Sequence, residues 1–248
     1  MTRFIRQFAM FGCAFVLATV ARTEPRTIQM GDGTISGTQL TPYTNAWMFS
    51  FVKDGKKHDQ GIWSDVLRYR DVEGKHLLER VQGMTYSNGL TSVTINRFDP
   101  ATLAPVYSEQ HTPDGKLVKR SFEGSHVELH FTKAPGASEE VTKTDLPAAV
   151  YDFNGGMYGT LIAAQPLSVG YSARIPTVGE FDNKLASVPF HVVGQEEISA
   201  GFKGRVKAWV VDVQSETPMR FWISKDAPYI LRLTLPMNGG EAVYDIIN

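Results

Sequence analysis

The strongest constraint on the fold is a repeated pattern in which apolar and polar residues alternate over segments of strand length. In 126–132, Val127, Leu129 and Phe131 would lie on one face of a strand, with polar residues on the other face. Segment 229–235 repeats the alternation. Turn dipeptides that tolerate positive φ separate such segments: Asp54-Gly55, Asn88-Gly89 and Asp114-Gly115. The pattern predicts a mainly all-β chain with an antiparallel sheet built from hairpins.

Two further segments, 46–52 and 205–213, are apolar on both faces and therefore need packing partners on both sides. The predicted partner is 146–164, with Asp145 as its N-cap, because apolar residues recur there at three- and four-residue spacing: Val150, Phe153, Met157 and Leu161. Asn154-Gly155-Gly156 weakens the middle of this segment. We expect one short helix, or two helical pieces, packed on the sheet.

The first twenty-one residues have the pattern of a secretory signal peptide. Arg3 and Arg6 precede an apolar run at 8–18, whose eleven residues are too few to cross a bilayer core of roughly 30 Å as a helix. Cleavage is expected after Ala21 or Ala18. We therefore predict export to the bacterial periplasm or the outside, and a single β domain at 22–248.

Removal of 1–21 would also remove Cys13, the only cysteine. Disulfides, thiolate zinc sites and cysteine nucleophiles are then not expected. The formal charge would change from −1 to −3, because Arg3 and Arg6 are lost and no acidic residue goes with them. We therefore expect no nucleic-acid partner, and no later segment has the length and apolarity to span a membrane.

The polar stretch 133–144 contains Pro135 and Gly136 and interrupts the strand pattern. Such a stretch is typical of a mobile loop. We predict a loop there, or a seam at 133–145 between two groups of strands.

The histidines give the most conspicuous candidate for a metal site, at His126, Glu128 and His130. On a strand, His126 and His130 would stand about 13 Å apart, so the two cannot hold one ion without partners from a neighbouring strand. The sequence contains no phosphate-binding loop, no dinucleotide fingerprint and no Gly-x-Ser-x-Gly. We expect no cofactor and no metal, and a non-enzymatic protein is favoured over an enzyme.

The aromatic residues offer a different kind of site. All four tryptophans fall in predicted strands, where they would either form the core or line an apolar cavity. The candidate ligand-binding residues are Trp47, Phe49, Trp63, Trp209, Trp222, Met157 and Leu161.

Three patches resemble a family of secreted bacterial domains of unknown function. They are 96–105, with its Asp-Pro and Thr-Leu, 165–171, with Pro-Leu before a glycine turn, and 221–232, similar to a closing hairpin. The resemblance implies a strongly curved antiparallel sheet or open half-barrel, reminiscent of periplasmic lipoprotein carriers. It implies no activity, because the family has no catalytic residues to carry over.

Three functions remain open from the sequence. The leading hypothesis is a non-enzymatic protein of the cell envelope that binds an apolar or amphipathic ligand, such as a lipid. The first alternative is an envelope structural or protein-interaction module, using a sheet edge or the 133–144 stretch. The second alternative is a hydrolase or metal-dependent enzyme with a dispersed site.

Overall fold

The structure, a computed structural model, describes residues 25–152, 158–179 and 181–247. Fifteen strands in these residues pair into one sheet. The first eight are β1 (Arg26–Thr27), β2 (Tyr43–Lys53), β3 (Lys56–Val72), β4 (Lys75–Tyr86), β5 (Thr91–Phe98), β6 (Pro105–His111), β7 (Leu117–Glu123) and β8 (His126–Thr132). The others are β9 (Glu140–Asp145), β10 (Ser172–Val178), β11 (Leu185–Ser199), β12 (Arg205–Val213), β13 (Met219–Ile223), β14 (Ile230–Met237) and β15 (Gly240–Ile246).

The strand order is β1-β10-β11-β12-β13-β14-β15-β2-β3-β4-β5-β6-β7-β8-β9. Every pair is antiparallel except β1 with β10. Two runs of hairpins, β2–β9 and β10–β15, are therefore joined side by side where β15 pairs with β2. The mainly all-β, antiparallel prediction is confirmed. The predicted signal peptide lies outside the described residues, so the division into 1–21 and 22–248 stays a prediction.

The alternation pattern located several strands well. Segments 126–132 and 205–213 coincide with β8 and β12, and 46–52 lies inside β2. Between β2 and β3, Asp54 and Gly55 both adopt positive φ, at 50° and 73°, as a tight hairpin turn requires. The predicted hairpin turn at Asp54-Gly55 is therefore confirmed.

The predicted helix at 146–164 is largely wrong. The α-helix α1 spans only Tyr158–Ala163, and Asp145 ends β9 instead of capping a helix. Residues 146–152 form no helix. Their backbone is instead hydrogen-bonded to other segments: the Leu146 N–H donates to Ser125 O in the β7–β8 turn, and the Tyr151 N–H donates to Pro176 O of β10, both at 2.9 Å. Phe153 and Met157 lie outside the described residues.

Helix α1 lies against β13 and β14, so the predicted packing of a short helix on the sheet is confirmed. The contact is close at Gly159, where an added Cβ would stand 2.4 Å from Cδ1 of Ile230. Any larger residue at 159 would require the Ile230 side chain to move. Leu161 is buried in the same contact layer.

The predicted loop at 133–144 is also partly wrong. Its second half is β9, which pairs with β8 along its length and forms one edge of the sheet. Five of the six β9 residues are exposed, among them Glu140 and Lys143. Exposed charges are common on edge strands because they discourage pairing with other chains. The polar residues from 140 onwards therefore belong to an edge strand, whereas 133–139 form the predicted loop between β8 and β9.

The sheet curves far enough to bring its distant parts together. Arg120 of β7 donates through Nη2 to Gly179 O at 2.9 Å, just beyond β10. Asn183, in the β10–β11 connection, donates to Thr144 Oγ1 of β9 at 3.2 Å. An apolar cluster packs in the same region: Phe122, Val127, Leu146, Val150 and Val178. The expected strongly curved sheet is thus confirmed, with segment 146–152 crossing between its two ends.

Candidate functional site

An apolar row crosses one face of the sheet from β12 to β2. Strand register pairs Val211 with Phe221, Phe221 with Leu233, Leu233 with Tyr244, and Tyr244 with Phe49. The rings of Phe49 and Tyr244 stack with their centroids 4.7 Å apart. Four of the five residues are buried, and Tyr244 is partly buried. This part of the face is a conventional core, stabilised by apolar area removed from water.

Two polar rows continue the same face over the next strands. Asn45 and Phe49 lie on the same side of β2 because an even number of positions separates them. The first polar row, on β2 to β6, is Asn45, Asp65, Gln82, Thr94 and Gln110. The second, on β4 to β7, is Arg80, Asn96, Ser108 and Arg120. All are buried except Gln110, which is partly buried.

A buried ion pair lies at the centre of these rows. Arg80 donates to Asp65 through Nε at 2.9 Å and through Nη2 at 2.8 Å, and both side chains are almost fully inaccessible. The Tyr43 hydroxyl donates to Asp65 Oδ2 at 2.8 Å. Burial and the Asp65 charge raise the pKa of Tyr43, so its phenol stays neutral. Burial opposes the charged form of Arg80, but the Asp65 charge outweighs it and the pKa of Arg80 is raised.

Three amide side chains flank this ion pair without a hydrogen-bond partner among the described residues. They are Asn45, Gln82 and Asn96, each with both its amide nitrogen and its oxygen unpaired. Each is at most 2% exposed. Buried polar groups nearly always have partners, and leaving one unsatisfied costs about 1–3 kcal/mol. Three uncompensated amides so close together are therefore unusual for a protein interior.

A cavity of about 750 Å³ lies between the polar rows and the opposite strands. Trp63, Met84 and Tyr244 form one wall of it. Gln82, Thr94 and Gln110, consecutive members of the first polar row, line it as well. Val188 of β11 faces them from the far end of the sheet, and the 214–217 connection after β12 contributes to the rim. The cavity thus has both an aromatic wall and a polar wall.

The predicted ligand-binding residues do not form one group. Trp63 lines the cavity, and its ring lies 5.0 Å from that of Tyr244. Trp47 lies deeper, at 2% exposure, and its Nε1 donates to Ile230 O at 3.0 Å. Trp222 follows the inward-facing Phe221 in β13 and therefore lies on the opposite face of the sheet, where its Nε1 donates to Glu196 at 2.8 Å. The others are distributed as follows: Phe49 is in the apolar row, Trp209 and Leu161 pack in the main core, and Met157 lies outside the described residues.

The histidine cluster consists of histidine–carboxylate contacts at the edge of the sheet. His126 lies 2.8 Å from Asp145, and His130 lies 2.9 Å from both Glu128 and Glu139. Hydrogen bonds to Glu139 and Glu128 raise the pKa of His130. Across the part of the chain that the structure describes, no three His, Cys, Asp or Glu residues are grouped to hold a metal ion.

Sequence reasoning missed the polar rows entirely. In β4, Arg80, Gln82 and Met84 share one face of the strand. The opposite face also carries charged residues, among them Lys75 and Glu79. A pattern-based prediction places charged residues in solvent, whereas the face that carries Arg80 and Gln82 is buried. One signal of a polar interior was available in the sequence: the consecutive strands β3 to β7 carry polar residues on both faces.

The curved single sheet and its lined cavity define the protein as an open, barrel-like β protein. Residues 70–246 match the family described as "Protein of unknown function (DUF3108)", and the chain belongs to that family. The expected resemblance to a family of unknown function is thereby confirmed.

Among solved structures, the chain is similar to the crystal structure of a β-barrel-like protein of domain of unknown function DUF1849 from Brucella abortus. The identity is 10%, the match covers 84% of this chain and 97% of that one, and the TM-score is 0.45. A search of curated proteins finds no match. Within the described residues, no helix combines the length and apolarity needed to cross a membrane.

Proposed function

We propose that the protein binds an amphipathic small molecule in the cavity between the polar rows and β10–β11. The observation that carries the proposal is the division of the lining into an aromatic wall and a polar wall. Its volume of about 750 Å³ falls in the range of roughly 300–1,000 Å³ typical of small-molecule sites. A wholly apolar ligand fits less well, because it would cover Gln82 and Thr94 without giving them hydrogen bonds.

The binding is non-enzymatic in this proposal. The buried charges next to Gln82 in the sheet, Asp65 and Arg80, hold each other in an ion pair and do not line the cavity. A carboxylate in such a pair is a poor general base, because protonating it would break the charge balance of a buried arginine. The site is therefore suited to holding a molecule rather than transforming it.

The proposed location is the cell envelope, following export. It is supported by the signal-peptide pattern of 1–21 and by a mature sequence without cysteine. A ligand that passes between membranes needs a carrier that covers its apolar part, and the cavity offers that cover.

Gentle purification from the natural host, followed by denaturing extraction and mass spectrometry, tests the proposal. We expect a compound of a few hundred daltons to be released from the wild-type protein. Trp63→Leu should lose most of it, because Trp63 forms the aromatic wall. Trp222→Leu is the matched control, since Trp222 lies on the face of β13 that points away from the cavity and does not line it. Ligand-free wild-type protein, or equal retention by both variants, contradicts the proposal.

A second candidate function, protein interaction through strand addition, rests on β9. This strand pairs only with β8 among the described strands and is largely exposed. An extended segment of a partner could add to such an edge. Crosslinking in intact cells discriminates the two: a single protein captured through β9, with no released small molecule, favours the second function.

A further inference from the structure

The cavity lining indicates what kind of polar group the ligand carries. Gln82 of β4 is 2% exposed, lines the cavity, and has no hydrogen-bond partner for either amide atom among the described residues. Its amide oxygen can accept hydrogen bonds and its amide nitrogen can donate two, and none of them is used within the described residues. A partner that satisfies both at once must itself carry a donor next to an acceptor.

The charge of the surroundings argues against an ionised partner. No Lys, Arg or His is among the described residues that line the cavity, and the one carboxylate is Glu216, which is exposed. Asp65, the cross-strand neighbour of Gln82, is neutralised by Arg80. An anion placed against Gln82 would lose its hydration without gaining a cation, and this costs several kcal/mol.

A cation is disfavoured for a related reason. Both oxygens of Asp65 already accept hydrogen bonds, from Arg80 and from Tyr43. An ammonium group beside Gln82 could use only the Oε1 acceptor, and would leave the amide nitrogen unpaired.

We propose that the ligand is a neutral, amide-bearing amphiphile whose amide group pairs with Gln82. The Gln82 nitrogen donates to the ligand carbonyl oxygen, and Gln82 Oε1 accepts from the ligand N–H. The apolar body of the ligand lies against Trp63, Met84 and Tyr244. This inference rests on the proposed function and specifies the chemical class that the same cavity takes.

Three probes of equal chain length separate the possibilities: octanamide, octanoate and octylammonium, titrated calorimetrically into the full, purified protein at neutral pH. We expect octanamide to bind at least tenfold more tightly than either ion, a difference of about 1.4 kcal/mol. Octanoate or octylammonium binding as tightly as octanamide overturns the amide inference and leaves the proposed function standing. No binding of any probe, together with no co-purified compound, overturns the proposed function as well.

The Gln82→Leu variant identifies the residue responsible. It keeps a side chain of similar size but removes both polar atoms, so octanamide should lose about tenfold in affinity while octanoate changes little. Gln195→Leu is the matched control, because Gln195 is an exposed β11 residue that does not line the cavity. A purely structural role for Gln82 would alter the melting temperature and leave the octanamide-to-octanoate ratio unchanged, and that result contradicts the inference.

Discussion

The apolar row and the polar rows lie on one face of one sheet, yet they have opposite energetics. The apolar row gains stability from packing, as its buried Phe221 and Leu233 show. The polar rows bury an ion pair and three unpaired amides, each of which costs free energy in isolation. A protein selected for stability alone would have no reason to keep them. The apolar row thus holds the fold together, and the proposed function assigns ligand binding to the face that carries the polar rows.

The largest effect should come from breaking the central ion pair. Asp65→Ala removes the carboxylate that balances the buried charge of Arg80, and we expect a loss of about 4 kcal/mol in the free energy of unfolding, measured by urea titration. Asp212→Ala provides the comparison. Its pair with Arg220 is solvent-exposed, so the loss should stay at about 0–1 kcal/mol.

Replacing both partners of the ion pair sharpens this prediction. The double variant Asp65→Leu with Arg80→Met should recover much of the lost stability, because no uncompensated charge remains. Equal destabilisation by Asp65→Ala and Asp212→Ala would show that the polar rows are not buried as described.

The next largest effect should lie in the apolar row. Leu233→Ala removes part of a buried side chain between Phe221 and Tyr244, and we expect a loss of about 3 kcal/mol. The same urea titration measures it. A loss below about 1 kcal/mol would mean that this row is not a packed core.

Removing an unpaired amide from the polar rows should not lower the free energy of unfolding, in contrast to Leu233→Ala. Asn96→Leu replaces two unsatisfied polar atoms by apolar ones, so stability should be unchanged or higher by about 1 kcal/mol. Thermal unfolding of the purified protein checks this. A loss as large as that of Leu233→Ala would show that Asn96 has an essential structural partner.

The smallest effect concerns the sheet edge, where His130 pairs with Glu128 and Glu139. Because these contacts raise the pKa of His130 in the folded state, its stabilisation is present at acidic pH. The stabilisation is lost as pH rises through the raised folded pKa, which lies above the ordinary value of 6.5. His130→Gln should make the free energy of unfolding slightly less dependent on pH across that range, as measured by unfolding curves taken from pH 6 upwards. An unchanged pH profile would indicate that the exposed pair contributes nothing.

The sequence predicted the architecture better than it predicted the site. Strands β8 and β12 could be located because alternation and turn residues are local signals. Segment 146–152 could not, since its apolar spacing fits a helix, while the pairing of Tyr151 with Thr177 depends on a distant strand. The polar rows were missed for a similar reason: which face of β4 is inside depends on the curvature of the whole sheet.

The proposed occupancy of the cavity by a ligand can be measured most directly at the Gln82 side-chain amide. Its ¹H–¹⁵N signals in the full protein can be assigned by their loss in Gln82→Leu, and then followed during titration with octanamide. We predict that these signals shift together with the Trp63 indole signal, while that of Trp222 does not move. Shifts confined to the Trp222 side of the sheet, with Gln82 unaffected, would contradict a ligand site on the inner face.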